Sequence, residues 1–251
     1  MNHVPTATPV EGRLQGRRFV VTGAASGIGR AIAGLFLQAG ARVAALDRNR
    51  PADLPEGPAL CLQADITDAQ AVQQAVDGAA RAWGGLDGLV NAAGIANTDL
   101  AEEVSLESWK RVLDVNLTGT FVVCRACLPH LRAAGGGTIV NLSSGQGLQP
   151  FVRRSAYAAS KAGVIAFSKS IAMEWAPAIR VNTICPGAID TPMVRSGYSE
   201  EVLRTQVGPR YALGRIGESL EIAQAALYLS STESSFVTGI VLAVDGGRSY
   251  H

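Results

Sequence analysis

Charge is scarce in this 251-residue sequence: Asp, Glu, Lys and Arg make up 17% of it and balance to +1. No basic run or stripe breaks that balance. The chain therefore lacks the electrostatic footprint of a nucleic-acid binder and the cationic face of a membrane-surface helix. Cysteine is scarce as well, and Cys61, Cys124, Cys127 and Cys185 are scattered. That pattern offers no disulfide framework and suits a reducing, cytoplasmic setting. Cys124 and Cys127 have the spacing of a redox or metal pair. They sit in an apolar helical run without a second ligand pair, so plain packing is expected and no metal. Apolar runs stay short of the roughly 18 residues a membrane span needs, so no membrane association is expected. Internal repeats, low-complexity tracts and interior linkers are missing too, which leaves residues 14–251 as one domain. Residues 1–13, polar and carrying Pro5 and Pro9, read as a flexible arm rather than a targeting peptide.

What the chain does have is alternation. Short apolar, often β-branched runs at 18–22, 42–47, 59–64, 85–91, 135–142, 179–184 and 239–244 read as seven strands. Helical spacing lies between them, as in Ile28, Ile32, Leu35 and Phe36 after the first run. Asp68 is placed to cap a helix reaching Trp83, and a long helix is expected from Leu106 to Leu131. Seven strands alternating with helices imply an α/β, Rossmann-type fold: a doubly wound parallel sheet with helices on both faces. Residues 188–209 are polar, mixed and longer than an ordinary connection, as expected of a lid or substrate loop.

The first strand runs into Gly23-Ala24-Ala25-Ser26-Gly27-Ile28-Gly29, and a helix follows. Glycines at such a turn let backbone approach a pyrophosphate, and the helix N-terminus adds free N–H groups and a favourable dipole. The same spacing also serves to tighten a strand-to-helix corner. The second strand ends at Asp47, about twenty residues on, where a carboxylate would bind the adenosine ribose hydroxyls. A carboxylate there repels a 2′-phosphate, and the neighbouring Arg48 is a poor phosphate site beside it, so NAD is expected over NADP. Asp65 either ends the third strand or holds adenine. Small residues after Asn91, namely Ala92, Ala93 and Gly94, allow the chain to pass close under a nucleotide. Asn116 lies mid-helix among Val112, Leu113, Val115 and Phe121, where a buried amide must be paired, by backbone or for a task. Tyr157 and Lys161 stand four apart on one helix face. An ammonium beside a phenol favours phenolate and would draw its pKa down from about 10.

Taken in order, the turn from Thr22 to Gly29, Asn91-Ala-Ala-Gly94, Asn116, Ser144, the pair Tyr157 and Lys161, and Pro186-Gly187 resemble the short-chain dehydrogenase/reductase family over residues 14–247. The resemblance implies reversible hydride transfer between NAD and an alcohol or ketone carbon. Asn116, Ser144, Tyr157 and Lys161 would be its catalytic residues. Ser144, thirteen residues before Tyr157, is chosen over Ser143 by the family's spacing, and Asn116 would hold a water linking Lys161 to solvent. Cofactor contacts are implied at Gly23, Ser26, Gly27, Ile28, Gly29, Asp47, Arg48, Asp65 and Ile66. Further contacts are implied at Asn91, Ala92, Gly94, Tyr157, Lys161, Pro186, Gly187, Ile189 and Thr191. Ser144, Gln146 and Tyr157 would meet substrate, framed by residues 148–154 and 193–198. Arg153 and Arg154 either meet a substrate carboxylate or are solvated surface. A secondary alcohol or polyol is the expected substrate. A 3-oxoacyl-thioester reductase using NADP and a non-catalytic dinucleotide sensor are the alternatives. The family implies a homotetramer built on the helices at 106–131 and 155–176.

Overall fold

Strands that are buried on both faces need side chains that are apolar throughout, and Arg18–Thr22 (β1) meets this with four fully buried residues after the first. A computed structural model describes residues 10–51, 54 and 56–249, so residues 1–9 of the expected arm lie outside the described residues. After β1 come α1 (Gly27–Gln38), β2 (Arg42–Asp47), β3 (Ala59–Gln63), α2 (Ala69–Trp83) and β4 (Gly88–Asn91). A helical run of α3 (Leu106–Leu113), a π-turn (Asp114–Thr118) and α4 (Gly119–Ala133) leads to β5 (Gly137–Leu142). Then follow α5 (Gly145–Leu148), α6 (Ser155–Glu174), β6 (Ile179–Pro186) and β7 (Ile189–Asp190). The chain ends its regular structure with α7 (Pro192–Arg195), α8 (Glu200–Val202), β8 (Gly217–Glu218), α9 (Ser219–Ser230) and β9 (Val241–Val244).

All seven principal strands are parallel, in the order β3-β2-β1-β4-β5-β6-β9. Chain order and sheet order part company once. From β1 the chain works outward through β2 to β3, then crosses back to lay β4 on the other side of β1. Ligands of doubly wound sheets bind at that reversal, beyond the carboxyl ends of the two central strands. Phe19, Ile32, Phe36, Ala223 and Leu227 fill the core under α1 and α9. On the opposite face Val20, Leu46, Val76, Leu89, Val123 and Ile171 pack beneath α2, α4 and α6.

Local chemistry sets the boundaries. Asp68 caps α2, its carboxylate accepting from the Gln70 and Ala71 N–H groups. Gly84, left-handed at φ 73°, ends α2, so β4 starts at Gly88 rather than 85. β6 runs two residues beyond the expected 184 because its ladder with β9 continues to Pro186. The long helix departs furthest from expectation. It spans 28 residues, Leu106–Ala133, and one 18-residue window within it reaches a mean hydropathy of 1.3, which meets the length and composition of a membrane span. No such run was expected from the sequence. Much of its apolar side is spent inside this fold, on Val112, Val115, Val123, Cys124, Cys127 and Leu131, while Leu106 and Phe121 stay exposed. Residues 188–209 are also not a plain loop. They hold β7, α7, α8 and a further π-turn at Leu203–Val207, and β7 pairs with β8 so that one two-stranded ribbon closes the base of the whole excursion.

Candidate active site

Beyond the carboxyl ends of β1 and β4 lies a crevice of about 250 Å³. Its floor is the glycine turn, where the backbone comes so close that side chains cannot fit. A Cβ on Gly29 would stand 2.2 Å from the Gly23 carbonyl oxygen, and one on Gly23 would stand 2.7 Å from the Ala93 nitrogen. Ser26 precedes α1 without a side-chain cap, and no acidic residue occupies the first turn. The leading N–H groups of α1 thus remain for an anion. Of the residues expected to hold cofactor, Gly23, Ser26, Gly27, Ile28, Gly29, Asp47, Arg48, Asp65, Ile66, Ala92, Gly94 and Thr191 line this crevice. The Asp47 carboxylate is fixed by the N–H groups of Ala25 (3.1 Å) and Asn49 (3.0 Å), at the end of β2. Asp65 is held below the usual carboxylate range, first by the Thr67 N–H and hydroxyl and then by Arg111 and Arg48. A dinucleotide fits this set: bare backbone and a helix N-terminus for the pyrophosphate, a fixed carboxylate for hydroxyls.

Other expected contacts fall elsewhere. Asn91 turns into the sheet, donating to Asn141 Oδ1 at 2.9 Å, and does not line the crevice. Gly187 and Ile189 line a second cavity of about 220 Å³ with Tyr211 and Asp245, and Pro186 belongs to the β6–β9 ladder. Conversely, Asn49, Ile95, Arg111, Val115 and Met193 line the crevice without having been expected there. Asn49, two residues past Asp47, was within reach of the motif. Arg111 and Val115 show no local signal, because only the packing of the long helix brings them in.

Ser144, Tyr157 and Lys161 do not line the crevice; they stand past its end, and Gly94 is the joint. A Cβ on Gly94 would lie 3.3 Å from Lys161 Nζ and 3.2 Å from Asn116 Oδ1. Ser144 follows β5 and accepts from the Gln146 N–H at 3.1 Å, which leaves its own proton to give. The α5 turn presses on α6 so closely that a Cβ on Gly147 would sit 2.9 Å from the Lys161 carbonyl carbon. Ser143 points the other way, its hydroxyl donating to the Lys161 carbonyl at 2.8 Å. Lys161 is buried, gives one proton to the Leu142 carbonyl at 2.9 Å, and lies 5.9 Å from the centre of the Tyr157 ring. Burial pushes the Lys161 ammonium down to about 8.

One expectation is corrected here. The Tyr157 phenol is pushed up, not drawn down: burial dominates, and the facing Ser144 hydroxyl and Arg154 counter it only in part. A four-residue spacing places the ammonium but says nothing of the desolvation that both groups share. Asn116, at the π-turn, is fully buried. Its Oδ1 accepts from the Ile95 N–H at 2.8 Å, and its Nδ2 donates to the Ile95 carbonyl and the Ser160 hydroxyl, each at 2.9 Å. It ties the chain after β4 to α6, and is a positioning residue. Asn116→Ala should cost about 2–3 kcal/mol by leaving buried partners unpaired, read as a lower urea midpoint with unchanged slope.

The remaining candidates are accounted for by contacts within the chain. Arg153 reaches the Thr98 carbonyl and Glu103, and Arg154 the Asn97 carbonyl at 2.9 Å, so both brace the segment after β4. Thr191 caps α7 and donates to the Ile189 carbonyl at 3.2 Å while standing over the glycine turn. Cys124 and Cys127 are buried and free, and burial pushes the Cys124 thiol up to about 12. Packing is their role here.

Comparison with known proteins agrees with this geometry. The family model described as Enoyl-(Acyl carrier protein) reductase matches residues 23–249. A 2,5-dichloro-2,5-cyclohexadiene-1,4-diol dehydrogenase of Sphingobium indicum is 38% identical over 246 residues, covering 94% of this chain and 98% of that protein. A D-threitol dehydrogenase of Mycolicibacterium smegmatis is 40% identical over 253 residues, covering 94% of each. A 3-oxoacyl-[acyl-carrier-protein] reductase of Thermotoga maritima is 41% identical over 244 residues, covering 94% and 98%. Among solved structures, the ligand-free aldohexose dehydrogenase of Thermoplasma acidophilum superposes with a TM-score of 0.90 at 36% identity, covering 95% and 96%.

Proposed function

Because this chain belongs to the short-chain dehydrogenase/reductase family, whose members use a nicotinamide dinucleotide, we propose that it interconverts a small hydroxylated secondary alcohol and its ketone with NAD. The observation that carries the reading is the joint at Gly94, where the dinucleotide crevice meets the Lys161 ammonium. A bound nicotinamide ring supplies the hydride acceptor or donor and, when oxidised, a positive charge. The chain's own residues manage the proton and the oxygen. Ser144 donates to the substrate oxygen as negative charge gathers there. Tyr157 takes the hydroxyl proton during oxidation and returns it during reduction. Lys161 supplies the nearby cation that favours phenolate, and Asn116 holds the segment of Gly94 and Ile95 in place.

Asp47 supports NAD over NADP: its carboxylate is held at the end of β2 by two backbone N–H groups and repels a 2′-phosphate. Asp47→Ala should raise the KM for NAD about tenfold or more, the loss of a charge-assisted hydrogen bond, and narrow the preference over NADP. The decisive assay follows reduced-nicotinamide absorbance across secondary alcohols and polyols, once with NAD and once with NADP. Turnover with neither sinks the enzyme reading, and a preference for NADP sinks the role of Asp47. The 41% identity to a 3-oxoacyl reductase supports the second reading, and a 3-oxoacyl thioester in the same panel separates the two. Exposed Phe121 and Met173 on α4 and α6 support burial against further copies, so a homotetramer is proposed, to be read from light scattering.

A further inference from the structure

A buried polar atom without a partner is costly, and six side-chain polar atoms among the described residues are in that position, three of them amide oxygens that can only accept. Asn91, Thr138, Thr183 and Ser230 lie in β4, β5, β6 and α9, inside the body of the fold. Gln146 Oε1 and Asn97 Oδ1 instead lie in the connections that leave β5 and β4 at the edge where the crevice opens. Gln146 is the more constrained of the two. Its N–H holds Ser144 Oγ at 3.1 Å, and its turn is clamped to α6 at Gly147, one residue on. The amide is thus carried on the same rigid turn as the hydroxyl that meets the reacting oxygen. Ser144 and Tyr157 account for the carbinol oxygen, and the amide oxygen still wants a donor.

We propose that Gln146 reads a second hydroxyl on the carbon next to the carbinol, so that the site selects vicinal diols and polyols over simple secondary alcohols. This rests on the alcohol–ketone reading above. In the step itself the carbinol C–H bond breaks and its hydride goes to the oxidised nicotinamide. The O–H proton goes to Tyr157 and a C=O bond forms. The second hydroxyl is kept, as donor to Gln146 Oε1, and the product is an α-hydroxy ketone. A substrate lacking that hydroxyl leaves the buried amide oxygen unpaired, and discrimination by an unpaired polar group is stronger than any apolar fit supplies.

The test is the ratio of kcat/KM for 2,3-butanediol to that for 2-butanol, with NAD, in the parent, Gln146→Leu and Gln146→Glu. The parent ratio should be about tenfold or higher. Gln146→Leu should bring it near one, and Gln146→Glu, which keeps an acceptor at the position, should hold it near the parent's. A parent ratio near one overturns the proposal, as does a Gln146→Leu ratio equal to the parent's. If the leucine variant does not fold, the parent ratio and the glutamate variant decide alone. Failure of the underlying reading looks different: neither alcohol is then oxidised with either dinucleotide, whatever stands at 146.

Discussion

Replacing Tyr157 with phenylalanine is expected to lower turnover by about 10²–10⁴-fold while dinucleotide affinity changes little. The phenylalanine ring keeps the shape that α6 carries at this position, and what is lost is the one atom able to exchange a proton with the substrate oxygen. Steady-state turnover paired with a fluorescence titration of the reduced dinucleotide reads both halves. Turnover within a few-fold of the parent would remove Tyr157 from the reaction. The parent should also show a signature in pH. Burial raises the phenol, so the phenolate that oxidation requires is scarce at neutral pH and grows as pH climbs. Oxidation should therefore accelerate toward alkaline pH, while reduction, which needs the neutral phenol, should fall over the same range.

Lys161→Met should abolish turnover to a similar degree and yet make the folded chain more stable at pH 7. The ammonium ordinarily holds its proton to 10.5, and burial brings that down to about 8. Below pH 8 the folded state carries the full cost of a buried cation, about 3 kcal/mol for a gap of this size. As pH rises from about 8 to 10.5 the folded lysine is neutral while the unfolded one is still charged, so the cost shrinks and then disappears. Methionine fills the same channel without charge but leaves the Leu142 carbonyl unpaired, so the net gain at pH 7 should be about 1–2 kcal/mol. That is about 3–6 °C in Tm, fading above pH 9. A variant less stable than the parent at pH 7 would show that the ammonium is held by more than it loses. An inactive but hardier protein is the pattern expected where function demands a buried charge.

How much of this was legible from residues alone depended on whether local signals decide the structure. The sheet was legible because parallel strands are buried on both faces and announce themselves as unbroken apolar runs. Strand ends were overrun where a left-handed glycine, such as Gly84 or Gly239, cut the pairing short. The crevice was legible wherever backbone does the binding, since only glycine permits the approach seen between Gly23 and Gly29. It was illegible at Arg111, which a distant helix carries in, and at Asn91, whose amide is turned into the sheet by Asn141. The direction of the Tyr157 shift was misread for a related reason: burial is a property of the fold and leaves no trace in a spacing of four. Residues 188–209 resisted because α7 and α8 are 4 and 3 residues long, too short for a period to show. Only their caps, Thr191 before Pro192 and Ser199 before Glu200, were there to be seen.

The ribbon of β7 and β8 has an evolutionary corollary. The stretch between Asp190 and Gly217 is joined at its base by two rungs, Ile189 with Gly217 and Asp190 with Glu218, and near its far end by the Leu213 N–H donating to the Gly246 carbonyl and the Tyr211 hydroxyl accepting from the Ala188 N–H. Beyond Met193, where it leaves the crevice, its length and lining are free to drift without moving Ser144, Tyr157 or Lys161, all of which lie outside it.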